Sequence, residues 1–310
     1  MSAQRVSAPG KLVLSGAYAV LRGAPSLVTA VDRRVEVDAS RDASFETPEV
    51  AAALRMWGGP SRHPWFDASA LRKGENKLGL GSSAAICSAS IAALWIERNG
   101  APASSDRKRW IAEEVYPLAL AAHRKAQGGG SGVDVAAACF GGVFVARLSQ
   151  PSANLLVEPL SLPAGLVVET WACAKVAKTS DFVRRVFAAE QSHPDAFAEL
   201  FSRQVSASER AAESAQRAER AAFIAALGEQ VAALGELGKL SDTPVVLPEV
   251  AELHSHDEKE SAFLPSGAGG GDVTLYFGSE PSSPQFRRRA QALGFFPVHL
   301  AIDAPGISLD

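Results

Sequence analysis

The chain has 310 residues, 47% of them hydrophobic and 21% charged, with a formal net charge of −3. That length suits one large domain or two ordinary ones, and the near-neutral charge leaves no electrostatic footprint for nucleic acid. Cys87, Cys139 and Cys173 stand singly in apolar runs without a CxxC pair, which reads as buried thiols in a reducing compartment. The opening MSAQRVSAPGKLVLSG lacks the apolar core and cleavage site of a secretory signal. Residues 78–96 approach membrane-span length, but serines, glycines and alanines interrupt them. The expectation is a soluble cytoplasmic protein, monomer or homodimer, with no membrane or nucleic-acid partner.

Pro9-Gly10 marks a turn, and the residues after it predict a strand. Residues 27–38 predict a strand pair, with Val35 and Val37 alternating against charges. Residues 40–75, rich in Pro, Gly, Arg and Asp, predict irregular connections and one short helix. A glycine loop then feeds a buried helix at 83–96, stopped by Asn99-Gly100 and Pro102. Residues 105–126 predict a second helix with Trp110, Ile111, Val115, Leu118 and Ala122 on its apolar side. A Gly-rich loop follows and leads into the strand GGVFVARL.

The composition shift at 149–165 predicts a domain boundary, giving domains 1–158 and 159–310. Beyond it lie a strand at 166–175, largely helical sequence over 181–240 with an Ala-rich hairpin, and a short helix near 248–260. A second Gly-rich loop then runs into a strand (264–278), followed by a helix at 284–293 and a strand at 296–303. Strands and helices in this order predict an α+β fold.

Three stretches could carry chemistry. GLGSSA (79–84) opens the buried helix, where unpaired amides and the positive dipole end attract an anion. No Walker A lysine follows, and LRKGENKL is a poor strand for a dinucleotide fold, so taken alone the stretch reads better as a glycine-serine helix cap than as a ligand site. Asp134 is the lone charge between Lys125 and Arg147. It is either a turn or N-cap residue whose side chain satisfies the following helix, or a carboxylate that orients or deprotonates a hydroxyl or phosphate nucleophile. PSGAGGGD (265–272) packs four glycines into five residues, which suits a flexible backbone closing over a ligand rather than a simple turn. Lys11 and Lys77 are either phosphate partners or solvated surface lysines.

APGKLVLSGAYAVL (8–21), KLGLGSSAA (77–85) and LPSGAGGGD (264–272) together resemble, in order, the three signature motifs of the GHMP kinases. AHRKAQGGGSGVDVAAACFGG (122–142) is similar to the phosphomevalonate kinase branch, whereas mevalonate kinases usually carry a Glu where this chain has His123. AKTSDFV (177–183) resembles a degraded A-S-T-x-x-L-V segment of that branch, with Lys178 for the usual Ser and Thr179 matching. Ala17 stands where the first motif usually has Glu, and Leu264 where the third usually has Lys.

The resemblance implies an α+β GHMP kinase fold, with an N-terminal ribosomal-protein-like domain and a C-terminal ferredoxin-like domain. It implies ATP and Mg²⁺, and phosphorylation of 5-phosphomevalonate in the mevalonate/isoprenoid pathway. It assigns catalysis to Lys11, Lys77 and Asp134, ATP phosphates to Gly79, Leu80, Gly81, Ser82, Ser83 and Ala84, and Mg²⁺ to Ser83. The small anionic acceptor falls to His123, Ser131, Gly132, Thr179, Arg184, Ser266, Gly267, Ala268 and Gly269. The alternatives are a mevalonate kinase or another GHMP kinase acting on an alcohol. From a different class, Ala17 and Leu264 suggest a catalytically weak nucleotide-binding sensor.

Overall fold

The structure, a computed structural model, describes residues 5–58, 62–74, 76–149, 154–175, 179–256 and 260–309. The chain divides into two compact units. One takes residues 1–12, 29–142 and 300–310; the other takes 13–28 and 143–299. The units interleave along the chain, whereas the composition shift had suggested a single boundary after residue 158.

In the first unit, parts of β1 (Val6–Ser15) and β2 (Ser26–Asp42) form the sheet. β2 is one 17-residue strand, not the predicted pair. The charges at its middle do not break it, because the C-terminal segment receives them. Asp32 exchanges hydrogen bonds with the backbone of Ala301, and the Arg34 guanidinium donates to the carbonyls of Pro305 and Gly306. Ser308–Leu309 pairs antiparallel with Val6 and Ser7.

The predicted short helix is α1 (Pro48–Trp57), whose first turn is capped by the Thr47 hydroxyl accepting from Val50 N–H. β3 (Pro64–Asp67) pairs with β2, and β4 (Arg72–Lys73) pairs with β5 (Asn76–Lys77). α2 (Ser82–Asn99) is buried on nearly all sides through residues 84–94 and packs against α1 and two later helices. Small Ala, Ser and Cys side chains permit that close packing. The predicted helix at 105–126 is present as α3 (Arg107–Trp110), a π-helical segment at Ile111–Val115, and α4 (Tyr116–Gln127). The π segment lies just before Pro117, which has no N–H for the α-helical ladder. α5 (Val133–Phe140) follows.

In the second unit, β6 (Val143–Leu148) pairs antiparallel with β7 (Leu155–Pro159), so part of the predicted linker is a strand. β8 (Val167–Ala172), β9 (Ser261–Pro265), β10 (Val273–Gly278) and β11 (Phe296–Val298) form an antiparallel sheet in the order β11-β8-β10-β9. Helices α6 (Thr179–Ser192), α7 (Pro194–Gln216), α8 (Arg220–Leu240) and α9 (Pro248–His256) separate β8 from β9, and α10 (Pro284–Ala292) separates β10 from β11. That is the βαββαβ pattern of a ferredoxin-like unit with an enlarged first helical insert. The sheet core holds Trp171, Phe263, Tyr276, Phe286 and Phe295. A second cluster joins Tyr18, Val186, Phe197, Phe201, Leu234 and Val245. α8 is long and apolar enough to cross a membrane, but 56% of that stretch is buried in the fold, as a core helix requires.

Candidate active site

The first unit brings β1 against the loop that opens α2. Lys11 N–H donates to the Leu80 carbonyl at 2.9 Å. Gly10 allows this approach, since a Cβ there would meet Leu71 Cδ2 at 2.8 Å and the Leu80 carbonyl at 3.0 Å. Gly81 takes φ 75° and stands at the N-cap of α2, and Ala85 N–H closes the first helical bond onto its carbonyl. Helix geometry leaves the amides of Ser82, Ser83 and Ala84 without an intrahelical acceptor, at the positive end of an 18-residue helix. A Cβ on Gly81 would stand 3.0 Å from Lys11 Cγ, 3.4 Å from Lys11 Cε and 3.6 Å from Asp134 Cβ. Lys11, Gly81 and Asp134 therefore meet at one point.

Asp134 is not the cap of its helix. Gly132 (φ 85°) is the N-cap of α5, and Asp134 sits inside the first turn, where the dipole favours a negative charge. Its Oδ1 accepts from Val135 N–H at 3.0 Å, and its Oδ2 lies 3.4 Å from Nε2 of the buried His123 on α4. The carboxylate is thus held from two directions while its side chain stays 24% exposed.

The glycine run before α5 is fixed by Arg124, which donates to the carbonyls of Gly130 (3.2 Å) and Ser131 (3.0 Å). The sequence did not single out Arg124; its place in the last turn of a helix ahead of four glycines and a serine was the available signal. Lys77 is exposed on β5, two residues before Gly79. Burial raises the thiol pKa of Cys87 and pushes that of Cys139 up to about 12, so both are protonated core groups rather than nucleophiles. Cys173, expected to be buried like them, is only half-buried.

In the second unit, the loop after β9 is fastened at several points. Ser266 Oγ accepts from Val13 N–H (2.9 Å) and donates to Val13 C=O (3.1 Å). The Tyr18 hydroxyl donates to the Ala268 carbonyl at 2.6 Å. Gly270 N–H donates to Val245 C=O, and Asp272 N–H to Lys175 C=O. A Cβ on Gly269 would collide with the Val245 carbonyl, and one on Gly271 with the Lys175 carbonyl. These glycines answer close backbone approach, which corrects the expectation that they serve a flexible segment. Leu264 is buried on β9, paired with Leu275, so this position feeds the core. Thr179 opens α6 and is exposed, and Arg184 on the same helix pairs with Asp181 at 3.1 Å. Lys178 lies outside the described residues. Tyr18, which the sequence did not mark as functional, proves to be a holder of this loop.

Residues 66–142 match the family model for the GHMP kinases N terminal domain. The chain is 26% identical to the phosphomevalonate kinase of Streptomyces sp. (strain CL190), over 97% of each chain. It is 31% identical to the mevalonate kinase of Archaeoglobus fulgidus, over 45% of this chain and 51% of that one. Among solved structures, it superposes on Streptococcus pneumoniae phosphomevalonate kinase in complex with phosphomevalonate and AMPPNP with a TM-score of 0.74 at 16% identity, covering 96% of this chain and 99% of that one. The chain has the GHMP kinase fold. Its similarity to the Streptomyces phosphomevalonate kinase extends over nearly the whole of both chains.

Proposed function

We propose that the chain transfers the γ-phosphoryl group of ATP to 5-phosphomevalonate, giving 5-diphosphomevalonate and ADP. The observation that carries this reading is the meeting of Lys11 and Asp134 at Gly81, at the N-terminus of α2. Phosphoryl transfer asks the protein mainly to position groups and offset spreading negative charge. The amides of residues 79–84 and the helix dipole take the β- and γ-phosphates. Lys11 supplies a cation beside them, and Lys77 a second one from β5. Asp134 orients the attacking acceptor oxygen. A phosphate oxygen is already ionised near neutrality, so Asp134 has little proton to remove, and its fixed geometry matters more than its basicity.

Among the described residues, no three His, Cys, Asp or Glu side chains cluster as a metal site. Mg²⁺ keeps much of its water and leans on substrate phosphates. The half-buried Ser83 hydroxyl is a hard oxygen donor on the first turn of α2 and would hold the ion. When bound, the ion would offset charge on the nucleotide phosphates. For the acceptor we assign Ser131, Gly132 and His123, beside Asp134 in the first unit. The protein is proposed to act in the cytoplasm.

The match to the Archaeoglobus mevalonate kinase favours a second reading, in which the acceptor is the alcohol mevalonate. The test offers the protein ATP and Mg²⁺ with phosphomevalonate, mevalonate, homoserine or galactose in parallel, and follows ADP release. Turnover on phosphomevalonate is expected. Turnover on mevalonate alone would transfer the assignment to the second reading.

A further inference from the structure

Tyr18 occupies an unusual turn. Ala19 N–H donates to the Ala17 carbonyl at 2.8 Å, and Tyr18 between them has φ 63° and ψ −46°. This is the γ-turn of positive φ, which is rare and strained, most of all for a bulky side chain. Glycine would adopt it without the Cβ penalty. Such strain persists only where the surroundings impose it. Here they do. The buried Gln230 accepts from Gly16 N–H (2.9 Å) through Oε1 and donates to Ser15 Oγ (2.9 Å) through Nε2. The buried Gln204 donates to the Ala17 carbonyl at 3.0 Å. All three residues preceding Tyr18 are thus held by two amide side chains from α7 and α8.

The turn aims one group. The Tyr18 ring packs near Phe187, with centroids 6.5 Å apart, and its hydroxyl donates to the Ala268 carbonyl at 2.6 Å. Tyr18 is only 3% exposed, and burial raises its pKa well above the ordinary phenol value, so the hydroxyl keeps its proton and stays a donor. A trans peptide points its C=O and its N–H in opposite directions. With the Ala268 carbonyl turned to Tyr18, the Gly269 N–H is directed away from Tyr18.

We propose that Tyr18 is a positioning residue: its hydroxyl fixes the Ala268–Gly269 peptide so that the Gly269 N–H is presented to a phosphate oxygen of a bound substrate. The presentation to phosphate rests on the kinase reading; the clamp on the loop does not.

Tyr18→Phe removes the hydroxyl and keeps the ring. Two measurements on the full chain test it. Hydrogen–deuterium exchange without ligand should show the amides of residues 266–272 exchanging at least about fivefold faster, with α7 and α8 unchanged. Steady-state kinetics should show a KM about tenfold higher for one phosphate-bearing substrate, with kcat within about twofold; tenfold corresponds to about 1.4 kcal/mol. A rise in KM for ATP assigns the contact to the nucleotide, and a rise for the acceptor assigns it to the acceptor phosphate. Unchanged loop exchange overturns the clamp. Faster exchange with both KM values unchanged overturns the presentation to phosphate. If the wild-type chain turns over no acceptor, the presentation falls with the kinase reading, and the exchange result alone still decides the clamp.

Discussion

Gly81→Ala puts a methyl group at the point where the proposed site converges. The added Cβ would stand 3.0 Å from Lys11 Cγ, tighter than ordinary van der Waals contact, with Lys11 Cε at 3.4 Å and Asp134 Cβ at 3.6 Å. The Lys11 stem has to give way by several tenths of an ångström, carrying its ammonium with it. The backbone adds a second cost, because φ 75° is a left-handed conformation that costs an alanine about 1–2 kcal/mol. A folded-state penalty of that size leaves most molecules native at 25 °C if the protein has ordinary stability of about 5–15 kcal/mol. Turnover should suffer as well: misplacing a catalytic group by about 1 Å costs roughly 100-fold, so a shift of a few tenths should lower kcat by about 4- to 10-fold. Urea unfolding gives the stability change, and ADP release at saturating ATP gives kcat. A variant that loses about 1–2 kcal/mol and keeps wild-type kcat would refute the claim that Lys11 and Asp134 act at Gly81.

Asp134→Ala removes the group that orients the acceptor and should lower kcat by about 100-fold while ATP affinity, read by calorimetric titration, changes far less; a chain that unfolds instead would make the carboxylate's bond to Val135 N–H its main role. Gln230→Leu removes the partner of Gly16 N–H and Ser15 Oγ in a buried setting, and a loss of about 1–3 kcal/mol in urea unfolding is expected. Burial raises the Cys139 pKa from 9.0 to about 12, so above pH 9 the unfolded chain releases a proton that the native chain keeps. Its contribution to stability is complete below pH 9 and should fall by up to about 1.4 kcal/mol per pH unit from there toward pH 12. Urea midpoints between pH 8 and 10.5 measure this, and Cys139→Ala should flatten the decline.

Some of this architecture is legible locally and some is not. The start of α2 can be read from Gly79 and Gly81 ahead of a Ser/Ala run, because a left-handed cap and a buried helix each have a local signature. Residues 27–38 looked like two strands because Asp32, Arg33 and Arg34 interrupt the apolar pattern. What keeps β2 whole is the C-terminal segment, with Ala301 on Asp32 and Pro305 and Gly306 on Arg34, more than 260 residues away in sequence. β7 escaped notice since its half-exposed pattern matches a linker as well as an edge strand.

The candidate site divides in the same way. Asp134 was visible as a solitary charge, but its neighbour His123 Nε2 and its closeness to Lys11 come from helices and strands meeting in space. The third glycine loop suggested mobility, because composition cannot show that the carbonyls of Val245 and Lys175 press against it. Tyr18 gave no local sign of a positive φ, which its sequence would normally disfavour; the buried glutamines of α7 and α8 impose it.

The most direct test of the central claim is ADP release by the wild-type chain with ATP, Mg²⁺ and each acceptor in turn. Turnover on phosphomevalonate well above that on mevalonate, homoserine or galactose is the predicted result. Binding of ATP with no turnover on any of the four would contradict it, and would leave the convergence at Gly81 as a nucleotide-binding device without phosphoryl transfer.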